Sequence, residues 1–254
     1  METDYNKILE IPAKAILNKR LTKAFFLQNF DLSAAEKKFL NQEVENLTWL
    51  ASLRPNTVNI PAQQIETQTF EEIQIIVCQL RVDVKEKSQK AVELVQKYLP
   101  YPVLLIVEDE HEFLFNSADK YINQNDIQKR TIKSYFSTPA INQLYKNDIV
   151  AELFKALKFS ELDKSNLQTT YNSYVEALIR YKAAQHTGRF ERKHHSRTSR
   201  DMEYLLEIEE LEKTINVLVN RIQKESMINR KVELNVKLQQ HRQQIEELKQ
   251  NLSA

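Results

Sequence analysis

Four carboxylates raise the sharpest chemical possibility in this chain of 254 residues. Glu71 and Glu72 open a run of β-branched and apolar residues, and Asp109 and Glu110 occupy a polar turn after a second such run. Two or more carboxylate oxygens can hold Mg²⁺, and a cation near the attacking water would complete a metal-dependent nuclease centre. The usual arrangement puts an acid and a lysine two apart on one strand face. Here Gln74 stands two after Glu72, and the next lysine is Lys85. The competing reading is that Glu71 and Glu72 start a strand at its solvated end while Asp109 to Glu112 polarise a hairpin tip. The nuclease is therefore kept as the alternative, the one reading that calls for a cofactor, Mg²⁺.

Other chemistry is thinner. Cys78, the sole cysteine, lies between Val77 and Gln79 in an apolar stretch, which suits a core residue better than a reactive thiolate. One cysteine also excludes an internal disulfide and fits a reducing cytoplasm. His194 and His195 are adjacent, so their side chains diverge, and no neighbouring set completes a tetrahedral metal site. The single glycine, Gly188, cannot write a phosphate-cradling loop or a dinucleotide fingerprint. Asn and Asp, which tolerate φ > 0, are expected to fill the turns instead. The stretch Gln185 to Arg200 is strongly basic. Arg189, Arg192, Lys193, Arg197 and Arg200, opposed only by Glu191, could neutralise several phosphates of a nucleic acid or simply form a solvated linker. Net charge decides nothing, since 36 basic residues nearly balance 35 acidic ones.

The elements that must position these residues follow from patterning. Ser33 with Glu36 reads as a capping box, and Phe39, Val44, Leu47 and Leu50 extend at roughly helical spacing, which predicts a helix from Ala34 to about Ser52. Pro55 ends it, and a short strand is expected over Thr57 to Ile60. Phe70 to Val82 reads as an interior strand covered on both faces, followed by an amphipathic helix from Lys85 to Tyr98. Val103 to Val107 and Phe113 to Phe115 form a hairpin with an acidic tip. Beyond Asn125 the pattern is helical, with Pro139 at a first helical position behind Thr138 and a last helix over Leu167 to Ala184. The implied fold class is α+β: a small mixed sheet of about four strands flanked by helices over residues 1–184, a basic linker over 185–200, and a helical tail over 201–254. The longest apolar stretch, Pro102 to Val107, is too short to span a bilayer. The start is acidic with no apolar signal region. A soluble cytoplasmic protein with no membrane partner is expected.

The tail carries the strongest periodicity. Ile208, Leu211, Ile215, Leu218 and Ile222 recur at steps of three and four, and Leu234, Leu238, Ile245 and Leu248 continue in a second register. Heptad seams of this kind wind helices together. The frame break suggests a coiled-coil helical hairpin turning near Glu225 to Asn229. The seam is read as the partner-binding element, with a homo-oligomer as a further possibility.

Several segments together resemble a bacterial family known as domain of unknown function 4391. They are Leu21-Thr22-Lys23, Leu47-Thr48-Trp49-Leu50 followed by Leu53 and Thr57, Glu72-Ile73-Gln74-Ile75, Leu99-Pro100-Tyr101-Pro102-Val103-Leu104 and Asn229-Arg230-Lys231-Val232-Glu233-Leu234-Asn235. Thr22 replaces a proline of that pattern, and Asp119 before Lys120 stands where a tyrosine is common. The resemblance implies a small companion of helicases and DNA methyltransferases in restriction-like, anti-phage gene clusters, with no catalytic residues to carry over. The combined expectation is a non-catalytic accessory subunit that docks a helicase or methyltransferase through its tail. A metal-dependent nuclease and a stand-alone nucleic-acid binder are the alternatives.

Overall fold

The computed structural model describes residues 3–123, 126–144, 147–191 and 195–253. The chain forms α1 (Tyr5–Ile8), β1 (Ile16–Arg20), α2 (Lys23–Asn29), α3 (Ala34–Gln42), β2 (Val44–Leu53), α4 (Pro55–Val58), β3 (Gln63–Ile65), β4 (Gln68–Phe70) and β5 (Ile73–Leu80). It continues through α5 (Val84–Tyr98), β6 (Val103–Glu108), β7 (Glu112–Asn123), β8 (Asp126–Ser137), β9 (Ile141–Asn142), α6 (Asp148–Ala156), α7 (Leu167–Thr187), α8 (His195–Lys224) and α9 (Ile228–Ser253). Two compact units divide it, Met1–Leu178 and Ile179–Ala254. The division falls inside α7, ahead of the boundary at residue 184 expected from composition.

The first unit is mixed α+β, built on a seven-stranded sheet in the order β1-β2-β5-β6-β7-β8 with β9 beside β7. That is a larger sheet than the four strands expected. Among the described residues only β5 and β6 pair in parallel, joined by α5 as the crossover. The expectation that β5 is covered on both faces holds. Ile76, Cys78 and Leu80 pack with Phe26, Phe39, Leu40, Ala91, Val92 and Val95 from α2, α3 and α5, while Ile73, Ile75 and Val77 are buried on the other face. On that second face Phe154 of α6 packs against Phe113 and Phe115, and Tyr171 of α7 donates to the Ala118 carbonyl.

Three expectations are corrected. The helix begun by the Ser33–Glu36 capping box, which is present, ends at Gln42. Residues Val44–Leu53 are strand β2, paired with β1 and β5. Its register with β5 shifts twice, between Val44 and Asn46 and between Trp49 and Ala51. Each bulge inserts an extra residue and resets the inward-outward alternation, so apolar side chains recur every three residues and imitate a helix. Thr57 to Ile60 is not a strand: Pro55 opens the single turn α4, and Asn59 leaves it at φ 56°. Residues Asp126–Ser137, expected to be helical, are the edge strand β8, whereas farther on the expected helical pattern is met by α6 and α7. Thr138 caps no helix, and its Oγ1 instead accepts from the Phe115 amide at 3.1 Å. Among the described non-glycine residues, positive φ occurs at Glu10, Asn18 and Asn59, so asparagine takes positions that glycine usually fills, at the end of α4 and where the register of β1 with β2 shifts. Glu10 is held in place by Lys158 and Ser160, which reach its two carboxylate oxygens at 2.7 and 2.6 Å.

In the second unit α8 and α9 are separated by Glu225, Ser226 and Met227. Glu225 Oε1 accepts from the amides of Ser226 and Met227, which closes the turn without glycine. Arg197, near the start of α8, donates to the Asn251 carbonyl near the end of α9. No helix among the described residues is long and apolar enough to cross a membrane.

Candidate functional site

The four carboxylates of the nuclease reading do not converge. Glu72 precedes β5, whereas Asp109 follows β6, whose last residue pairs with Gln79 near the far end of β5. At 3.3 Å per residue the two acids lie about 25 Å apart along the sheet. Glu71 is exposed, and Glu72 is only 3% exposed, so the solvated-end reading holds for Glu71 alone.

Glu72 is fully engaged. Its Oε1 accepts from Ser52 Oγ at 2.7 Å and Gln74 Nε2 at 3.2 Å. Its Oε2 accepts from Arg54 Nε at 2.9 Å and pairs with Nη2 at 2.7 Å. β2 delivers Ser52 and, just past its end, Arg54, because Ser52 stands opposite Gln74 in the ladder. A buried carboxylate is tolerated where its lone pairs are filled in this way, and this one fastens the loop after β2 to the start of β5.

Two strands away, at the same end of the sheet, lies Lys120. It is 7% exposed, and its Nζ donates to the carbonyls of Leu99 and Tyr101 at 2.7 and 2.9 Å. Leu99 is the C-cap of α5, so the amine closes the end of that helix and ties it to β7. Burial, aided by the charge of Arg130, pushes the Lys120 amine well below the ordinary lysine range. The unfolded chain then holds a proton that the folded chain sheds. Stability gained through Lys120 should therefore rise with pH, by at most about 1.4 kcal/mol per unit, from its lowered folded value up to about 10.4. Lys120→Met removes both bonds. Urea unfolding from pH 7 to 10 should show the advantage of the unsubstituted chain over Lys120→Met growing as pH rises; a constant difference would contradict a buried, depressed amine.

At the other end of the sheet Asp109 accepts from three backbone amides: Val84 at 2.8 Å through Oδ2, and His111 and Glu112 at 2.7 and 2.8 Å through Oδ1. Burial alone would raise its carboxyl, but these amides outweigh that and hold it below the usual range. Asp109 thus caps α5 and the hairpin tip together, leaving little capacity for a metal. Tyr5 donates to Glu108 Oε2 at 2.7 Å nearby. Glu110 and His111 border a cleft of about 670 Å³ lined by Phe113, Val150, Ala151 and Phe154, with Asn142, Gln143 and Asn147 among its polar lining. Its size suits a small apolar group, and Thr3, Glu110 and His111 are the hydroxyl, carboxylate and imidazole groups on its wall. Among the described residues no group of three or more His, Cys, Asp or Glu could hold a metal ion. Cys78 is buried, and burial with the nearby Glu108 charge pushes its thiol up to about 12, far from a reactive thiolate.

In the second unit every residue of the expected seam faces inward to some degree. Ile208, Leu218, Leu238, Ile245 and Leu248 are buried, and Leu211, Ile215, Ile222 and Leu234 are half-buried. What the seam pattern missed is a second stripe on α9: Ile228, Val232 and Val236, spaced by four and 77, 57 and 52% exposed. The basic run is partly spent. Arg197 pairs with Asp201 at 3.1 Å and reaches Asn251, while Arg189 and Arg200 are exposed. Arg192 and Lys193 lie outside the described residues, as does His194.

Neither the curated proteins nor the solved structures contain a match to this chain. The family comparison does find one, over residues 9–245, spanning the sheet and most of the two final helices. The chain belongs to the family described as domain of unknown function (DUF4391).

Proposed function

We propose that this protein is a non-catalytic interaction subunit, in which α8 and α9 form a coiled-coil hairpin whose outer α9 stripe docks a larger DNA-acting enzyme. The observation that carries the reading is the placement of exposed apolar side chains. Of the twelve large hydrophobic residues exposed among the described ones, four (Met227, Ile228, Val232 and Val236) fall within ten residues at the turn and the start of α9. Single exposed apolar residues need no explanation, but a row at helical spacing fits a helix-in-groove contact. Arg230, Lys231 and Lys237 flank the row with only Glu233 opposing, so an acidic partner surface is the better complement. The inward-facing seam supports a hairpin that forms within one chain, leaving the α9 stripe as the docking face in its place. The carboxylates that a nuclease would need are divided between the two ends of the sheet, and Glu72 and Asp109 are each taken up by structural hydrogen bonds. A helicase or DNA methyltransferase of a restriction-like defence system, implied by the sequence resemblance, is the first partner to test.

The reading is tested by capturing the tagged protein from its host after nuclease treatment. A helicase or methyltransferase is expected in near-stoichiometric amount, and Val232→Glu with Val236→Glu should reduce its recovery at least tenfold while helicity is unchanged. Equal recovery by both proteins would remove the α9 stripe as the interface.

A further inference from the structure

The outer face of α8 carries a pattern that is complementary to itself. Glu203, Leu206, Glu210, Lys213, Val217 and Asn220 follow one another at steps of three and four, which keeps them on a single stripe of the helix. The stripe lies opposite the inward residues Ile208 and Leu218. Leu206 and Val217 are 44 and 49% exposed, and the side chains of Glu210 and Lys213 are 72 and 70% exposed. Reversed and laid on itself, the stripe sets Leu206 against Val217, Glu210 against Lys213 and Glu203 against Asn220, each contact occurring twice about a two-fold axis. The charge along α8 selects the same orientation. Residues 203–212 hold four exposed acids (Glu203, Glu207, Glu210 and Glu212) and no base, whereas residues 213–224 hold three exposed bases (Lys213, Arg221 and Lys224) and no acid. An antiparallel copy puts the acidic half on the basic half, and a parallel copy would put like on like.

We infer that this stripe of α8 is a homodimer interface, taking α8 of a second copy of this chain antiparallel to itself. A two-fold axis needs such a self-complementary patch. The Glu210–Lys213 pair, at 2.6 Å within one helix, then exchanges partners across the axis. One helix-on-helix contact is small compared with stable protein interfaces, so the dimer forms in a concentration-dependent way. The interface uses α8 and leaves Ile228, Val232 and Val236 of α9 open. It therefore stands or falls separately from the docking function proposed above.

The test is sedimentation equilibrium of the full chain, mass 30.0 kDa, from low to several hundred micromolar. The average mass should rise towards that of a dimer. Glu210→Lys alone and Lys213→Glu alone should each weaken dimerisation at least tenfold, and the two together should restore it because the swapped charges again complement each other. Mixing a Leu206→Cys chain with a Val217→Cys chain should give a disulfide-linked pair under mild oxidation. Leu206→Cys alone should link poorly, since its two copies would sit about 16 Å apart along the axis. A chain that stays monomeric throughout overturns the inference. So does a dimer indifferent to the charge reversals, or one in which Leu206→Cys links to itself as well as the mixture does.

Discussion

Replacing Leu218 and Leu238 together by glutamate is expected to separate α8 from α9 and remove most of the helical signal of residues 195–253. Both leucines are buried, at 7 and 6% exposure. Each substitution forfeits about 3 kcal/mol of packing and adds the cost of placing a carboxylate in an apolar seam. Most helical stability in proteins comes from packing an apolar face rather than from intrinsic propensity, and the separated helices lose that packing. The loss should appear as reduced circular dichroism at 222 nm and rapid proteolysis of the tail, with the sheet-bearing unit still resistant. The Val232→Glu, Val236→Glu chain should keep its helicity, because those side chains already face solvent. Full helicity in the leucine double variant would show that the seam does not hold the pair together.

Glu72→Ala is expected to destabilise the sheet-bearing unit by about 2–4 kcal/mol. The substitution leaves Ser52, Gln74 and Arg54 without the acceptor they share, and of these Ser52 and Gln74 are buried. Arg54 is half exposed and can turn to water, which keeps the expected cost below that of a fully buried pair. Glu72→Gln, which preserves shape and one acceptor oxygen, should lose less. The check is the urea midpoint at constant denaturant dependence. An unchanged midpoint for Glu72→Ala would mean that the cluster does not fasten β2 to β5, and would reopen a chemical role for this carboxylate.

The sequence was readable where one period persisted over a whole element. β5, α5, β6 and the hairpin into β7 were legible because their apolar residues either fill both faces or repeat at helical spacing. The tail was legible because its seam keeps a three-four step for several turns on each side of the break. β2 was not, since its two bulges give Val44, Leu47, Leu50 and Leu53 a spacing of three. β8 was not, since an edge strand bearing Arg130, Lys133 and Tyr135 need not bury a full face. Misreading β2 hid the surroundings of Glu72: Ser52 and Arg54 can be placed beside it only once β2 is known to pair with β5. Lys120 gave no signal of burial, because it sits where the register of β7 with β8 shifts between Asp119 and Lys120. The α9 stripe did have one, the four-residue spacing of Ile228, Val232 and Val236, which the neighbouring leucine seam outweighed.

Hydrogen exchange of the protein with and without its captured partner tests the docking function most directly. Amides of residues 228–240 should exchange at least tenfold more slowly in the complex, while β5, β6 and β7 are unchanged. Protection centred instead on the end of the sheet that holds Glu72 and Lys120, with α9 unaffected, would contradict the assignment of α9 as the docking face.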